Sequence, residues 1–331
     1  MAQIVLGVGT SHSPQLSSPP EIWHDHAARD RRNTFLVAQD GEVYTFDQLP
    51  LRPEWAIDES RLTVEAWQGL RTRTDQAIDR LSEALNQARP DVVVVVGDDQ
   101  DELFLADGVP AIAIYWGETI TDIPPTGEEL ERIPAGIQAA HWAIHADKPE
   151  PYPVASGLGQ HMVENLMLDE FDVCQASQQP SGRGVGHAFT FVRRRLMRDR
   201  LAPMLPVVLN TYVPPNQVSP RRCYALGRAL RRAVERYPED LRVAIVASGG
   251  LSHFVVDEAL DRRVIDGLAA RDVDSLSTIP RKYMRSGTSE ILNWIAVGGA
   301  VEHLRMDVVD YVPGYRSVAG TGIGACFAVW S

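Results

Sequence analysis

The sequence holds only three cysteines in 331 residues, Cys174, Cys223 and Cys326, and no two are spaced as CxxC. They are too few to staple a chain of this size, which excludes a disulfide scaffold and predicts a reduced, cytoplasmic protein whose thiols act as small buried hydrophobes. No apolar run approaches the roughly 18 residues of a membrane span, and the opening MAQIVLGVGTSHSP lacks the basic start of a signal peptide, so no membrane association is expected. Basic charge is short as well. A formal charge of −12 excludes loose nucleic-acid binding, which needs clustered Lys and Arg. The basic runs RDRR (29–32) and VRRRLMRDR (192–200) then read as solvated helix faces.

Several common signatures are missing. GVGTSH (7–12) begins like a dinucleotide fingerprint, but His12 stands where the third glycine is required. There is no GxxxxGK[ST] and no HExxH, and GLSHF (250–254) has Phe254 in place of the second glycine of a nucleophile elbow. Nucleotide-cofactor and ordinary serine-hydrolase chemistry are thereby disfavoured.

What is present is a series of short β-branched runs: IVLGV (4–8), VVVVV (92–96), AIAIYW (111–116), VVLNTYV (207–213), VAIVA (243–247) and CFAVW (326–330). Continuous apolar runs of this length fit strands covered on both faces. Between them Ile78, Leu81 and Leu85 fall at helical spacing before Pro90, and CYALGRALRRAVERYPED behaves likewise before Pro238. The alternation predicts an α/β fold, a layered mixed sheet flanked by helices, as a single catalytic domain over 1–331. Residues 24–60 carry FLVAQDGEVYTF, a hairpin pattern around Asp40-Gly41, read as an inserted lid or subunit contact. The Pro- and Gly-rich stretch 118–160 is expected to be a long loop system around the site.

Three strand ends deliver chemistry. His12 follows the first run, Asp98, Asp99 and Gln100 the second, and Ser248, Gly249, Gly250, Ser252 and His253 the fifth. Carboxyl ends of neighbouring strands converge on one crevice in open α/β sheets, which would gather two imidazoles and a carboxylate pair, a set suited to a metal or to proton transfer. Each group also has a plainer use: a structural histidine, a tight glycine turn, or an aspartate capping a helix.

Taken together, GTSHSP, VVGDDQDELF, HMVENLMLDEFDV (161–173), GHAFTFVRRRLM (186–197), the long segment from VVLNTYV to SGGLSHF (207–254) and SGTSEILNWIAVGGA (286–300) resemble the class III extradiol ring-cleavage dioxygenases, in particular their catalytic β subunits. The resemblance leaves out 24–90, expected to be an insertion forming a lid or subunit contact plus a helix. It implies a non-haem Fe(II) cofactor held by two histidines and a glutamate. His12 matches the first histidine and Glu290 the glutamate. His253 matches the acid/base histidine and His187 a further active-site histidine. Gln100 stands where the family has its second histidine ligand, so that an amide oxygen or a neighbouring Asp98 completes the metal set, or the metal is given up altogether. Ser248, Gly249, Gly250, Asp98 and Asp99 are expected beside the substrate.

Two readings remain open from sequence. One is an iron-dependent dioxygenase opening a catechol-like or hydroxylated aromatic acid ring with O2; the other keeps the fold but acts without oxygen as a lyase, hydrolase or isomerase through His253 and His187. Arg222 and Arg285 are candidates for a substrate carboxylate. The resemblance also implies association of the chain into a homo-oligomer and pairing with a small α subunit, a role the 24–90 insertion could take over.

Overall fold

The computed structural model describes residues 1–51, 55, 57–198 and 202–331. Its strands are β1 (Gln3–Thr10), β2 (Leu36–Val37), β3 (Val43–Tyr44), β4 (Val92–Gly97), β5 (Ile112–Tyr115), β6 (Thr119–Asp122), β7 (Glu150–Pro153), β8 (Cys174–Ala176), β9 (Met204–Leu209), β10 (Arg242–Ser248), β11 (Met306–Tyr315) and β12 (Gly322–Trp330). Its α-helices are α1 (Trp23–Asp30), α2 (Val64–Ala88), α3 (Gly127–Arg132), α4 (Ala135–Gln138), α5 (Ser156–Leu168), α6 (His187–Phe191), α7 (Pro220–Glu235), α8 (Glu258–Ala270), α9 (Val273–Ser277) and α10 (Ile291–Ala300).

Eight strands form one sheet in the order β11-β12-β1-β10-β4-β9-β5-β8. The central run β1-β10-β4-β9 is parallel, whereas β12 and β5 enter antiparallel. This is the mixed, helix-flanked α/β sheet expected from the sequence. Val92 to Val96 are all buried, as a continuous β-branched run covered on both faces must be. Because β1, β10, β4 and β9 run the same way, Thr10, Ser248, Gly97 and Leu209 finish on one edge, and the segments that follow meet there.

The helices start and stop for local reasons. Thr63 caps α2 by accepting from the Ala66 amide, and α2 ends at Arg89, whose left-handed conformation turns the chain ahead of Pro90. Ser219 caps α7 in the same way, with Pro220 in its first turn. α7 and α10 pack on each other, α7 against β1 and α10 against β4 and β10. α2 packs against β1, β11, β12 and the 192–197 turn.

Several expectations need correction. The run 207–213 ends as a strand at Leu209, because the Asn210 side chain accepts from the Val213 amide at 2.9 Å and donates to its carbonyl at 2.7 Å, folding the chain into a turn. The 118–160 stretch is not loop throughout: β6 and β7 pair, and α3 is closed by a capping box between Thr126 and Glu129. The run 192–200 is not a solvated face over its described part. Arg195 is buried between Ser17 and Asp75, at 2.8 and 2.9 Å, with its guanidinium over Trp142, and Arg193 is buried too; residues 199 and 200 lie outside the described residues. Cys223 and Cys326 are buried, but Cys174 is exposed, since β8 is the edge strand. The Asp40-Gly41 hairpin is present as β2 and β3, while positions 52–54 and 56 of the 24–60 segment lie outside the described residues.

Candidate active site

A cavity of about 230 Å³ opens at the shared strand edge, lined by His12, Gln100, Glu102, His187, Tyr212, His253 and Glu290, with Arg29 and apolar Pro14, Ile137, Ile144 and Phe254. Its volume is below the range of drug-sized pockets and suits one small ring.

The tautomer of His12 follows from its surroundings. The Ser248 hydroxyl donates to the Ala188 carbonyl at 2.6 Å, so towards His12 Nδ1, 3.0 Å away, it can only accept. The proton therefore sits on Nδ1, and Nε2 carries a free lone pair. That nitrogen is buried, makes no hydrogen bond, and stands 3.5 Å from Glu290 Oε2. His12, Asp98 and Glu290 place one candidate ligand atom each within 4.8 Å of one another, and all three residues are buried.

The two carboxylates are held by donors from several elements. Asp98 accepts from Gln100 Nε2 at 2.9 Å and Asn293 Nδ2 at 3.2 Å. Glu290, just ahead of α10, accepts from the Gly250 amide at 2.6 Å, Gln100 Nε2 at 3.3 Å and His253 Nε2 at 3.2 Å. Burial raises Asp98, with Glu290 pushing the same way. Burial would raise Glu290 too, but the His253 ring, donating to it from Nε2, holds it well below the usual carboxylate range. Gly250 is required by close approach, since a Cβ there would lie 2.9 Å from the His253 ring.

His253 donates from Nδ1 to the Leu251 carbonyl at 2.8 Å, which leaves Nε2 for exchange on the Glu290 and cavity side. Thr288 clamps its backbone, accepting from the His253 amide and donating to its carbonyl. Burial alone would lower His253, but Glu290 outweighs it and raises it. His187 is likewise opposed by burial, yet Glu102, 2.9 Å from Nδ1, pushes it up to about 10. His187 is therefore an imidazolium at neutral pH, set edge-on to His12 with ring centres 4.7 Å apart.

Of the residues singled out from sequence, His12, Gln100, His187, His253 and Glu290 share the cavity wall. Ser248, Gly249 and Gly250 lie behind it: Ser248 and Gly250 hold His12 and Glu290, and the Gly249 carbonyl accepts from the Trp294 indole at 2.8 Å. Asp99 is turned away, its carboxylate accepting from the Glu102, Leu103 and Phe104 amides. Arg222 and Arg285 are not brought to the cavity; they lie over Phe171 and Phe35. Glu102, Tyr212 and Arg29 were not anticipated. Glu102 follows Gln100 by two residues in an acidic run, a signal available from sequence, whereas Tyr212 was hidden inside an apolar run.

Fold and site together define a layered α/β protein with a buried, acidic, histidine-bearing candidate metal centre open to a single-ring cavity. Residues 63–324 match the model of the catalytic LigB subunit of aromatic ring-opening dioxygenase, and the chain belongs to that family. The match includes α2. A gallate dioxygenase of Pseudomonas putida is 34% identical over 178 residues, which cover 48% of this chain and 50% of that protein, so the chain spans about half the length of this curated relative. A crystal structure of an uncharacterised Escherichia coli K12 protein aligns over 78% of this chain and 91% of its own, at 15% identity and a TM-score of 0.46. Among the described residues no helix is long and apolar enough to cross a membrane.

Proposed function

We propose that the protein is a non-haem iron-dependent, extradiol-type dioxygenase that opens the ring of a catechol-like or hydroxylated aromatic acid with O2. Family membership supports ring opening. The observation that carries the metal assignment is the buried, unpartnered lone pair of His12 Nε2 beside two buried carboxylates. Such an arrangement is costly without a cation and fits one.

His12, Asp98 and Glu290 would hold the ion. Gln100, expected from the resemblance to be a ligand, has its amide within hydrogen-bond reach of both carboxylates and acts by fixing them. Imidazole with carboxylates is a donor set that ferrous iron accepts. When bound, the iron supplies a site where an aromatic diol and O2 come together and exchange electrons.

The remaining work belongs to side chains. With the charge of Glu290 taken up by a bound ion, His253 would no longer be held in its charged form, and its Nε2 would take a proton from a ring hydroxyl and later return one, its ring held in place by Leu251 and Thr288. His187, charged through Glu102, donates to negative charge developing on oxygen in the cavity. Ile137, Ile144 and Phe254 flank the ring and limit water.

The test is iron per chain after anaerobic ferrous loading, with oxygen uptake on 3,4-dihydroxybenzoate and 3,4,5-trihydroxybenzoate. About one iron is expected in the wild type, near none in Glu290→Gln, and a clear loss in Asp98→Asn that exceeds the loss in Gln100→Ala. No iron in any of them, with no oxygen uptake, would overturn the reading and leave the non-oxidative alternative.

A further inference from the structure

We infer that Arg29 binds the carboxylate of the aromatic substrate, so that this site selects ring acids over neutral catechols. The inference rests on the ring-opening reading for the identity of the ring, but the anion site itself follows from the segment that precedes the family match.

Arg29 lies on α1, and its side chain lines the cavity together with His253, Tyr212 and Phe254. Most arginines of this acidic chain that reach a carboxylate are committed to it: Arg73 to Asp310, Arg183 to Asp107, Arg228 to Glu302. Arg29 has no such partner. Among the described residues no carboxylate stands within ion-pair distance of its guanidinium, and no hydrogen bond from it is formed. A planar fork of donors left free at the wall of a single-ring cavity is matched by a carboxylate taken bidentately.

Its placement is built. Trp23, His26 and Ala27 bury one face of α1, and Asp30, the residue after Arg29, forms a buried double contact with Arg316 at 2.6 and 2.8 Å. Arg316 is itself fixed by Gln15 Oε1 at 2.7 Å. The pair Asp30–Arg316 ties α1 to the turn between β11 and β12, which sets the height and rotation of Arg29 above the cavity. The apolar groups Pro14, Ile137, Ile144 and Phe254 leave no other full cation on that wall except His187, already paired with Glu102. The two ends of a dihydroxybenzoate thus find separate chemistry: hydroxyls towards His253 and Glu290, carboxylate towards Arg29.

The experiment compares 3,4-dihydroxybenzoate with its methyl ester, which keeps the ring and removes the charge. In Arg29→Met the ratio of kcat/KM for acid over ester should fall on the order of 10- to 100-fold relative to wild type, through KM, because the carboxylate contact is made equally before and during reaction. Arg29→Lys should recover part of it, with unfolding midpoint and iron content unchanged in both. Anaerobic calorimetry of the same two compounds separates this proposal from the ring-opening reading. If the wild type binds the acid at least tenfold more tightly than the ester and Arg29→Met abolishes that preference, the site stands even where no ring is opened. An acid-to-ester ratio that Arg29→Met leaves unchanged, or a wild type that does not favour the acid in binding, would overturn it.

Discussion

His12 Nδ1 lies 3.0 Å from Ser248 Oγ, and the same hydroxyl is already spent as a donor to the Ala188 carbonyl at 2.6 Å. One serine at the end of β10 thereby fixes which imidazole nitrogen faces the carboxylates. Outer partners of this kind orient a ligand and typically contribute 10- to 100-fold to metal affinity. Ser248→Ala should accordingly weaken ferrous binding by roughly that factor without unfolding the chain, measured by anaerobic titration. Unchanged affinity would mean that the tautomer is set by something other than Ser248.

His253 touches Glu290 but has its other nitrogen tied to the Leu251 carbonyl. The proton-transfer role proposed for His253 is separable from the metal-holding role proposed for His12, Asp98 and Glu290. His253→Ala is expected to retain iron close to the wild-type level while kcat drops by about 10²- to 10⁴-fold, the range for a positioned acid or base. Turnover within threefold of wild type would remove His253 from proton transfer.

The strand ends that carry His12, Asp98 and His253 were legible because β1, β4 and β10 are buried on both faces, and full burial writes an unbroken β-branched run into the sequence. Residues whose position depends on contacts far along the chain left no such mark. Arg29 reaches the cavity because Asp30 meets Arg316, 286 residues away. Tyr212 comes into view only when Asn210 ends β9 early, a side-chain hydrogen bond that competes with an otherwise strand-like run. Glu290 reads locally as a first-turn acid of an apolar helix; what makes it a site residue is the Gly250 amide and the two histidines brought by other strands. Arg195 likewise sits in a basic run that looks solvated until Asp75 and Ser17 close over it.

Glu290 immediately precedes α10, and the seat of α10 depends on α7. A Cβ at Gly227 would fall 1.9 Å from the Ala296 carbonyl oxygen and 2.7 Å from the Ala300 amide, both backbone atoms that cannot swing aside. Gly227→Ala should force the helices apart at a cost of about 1–3 kcal/mol. At about 2–4 °C per kcal/mol for a large domain, the unfolding midpoint should drop by several degrees, with iron content falling as Glu290 shifts. An unchanged midpoint would show that the α7–α10 contact is looser than these distances imply.

Asp261, in the first turn of α8, supports the His253 segment from below: its carboxylate accepts from the Ser252 amide at 2.7 Å, the Ser252 hydroxyl at 2.8 Å and the Tyr311 hydroxyl at 2.6 Å. Burial outweighs those three bonds and raises it to about 7. In the unfolded chain the same carboxyl titrates near ~3.9. Between these values the folded protein keeps a proton that the unfolded chain has released, so this group makes stability fall as pH rises from about 4 to about 7, with no further change above. Asp261→Asn removes the titration while keeping a polar group of the same size. The stability of the wild type minus that of Asp261→Asn, from urea unfolding at pH 5, 6, 7 and 8, should therefore decline up to pH 7 and then level off. A difference that grows with pH over that interval would mean that the three donors, and not burial, govern Asp261.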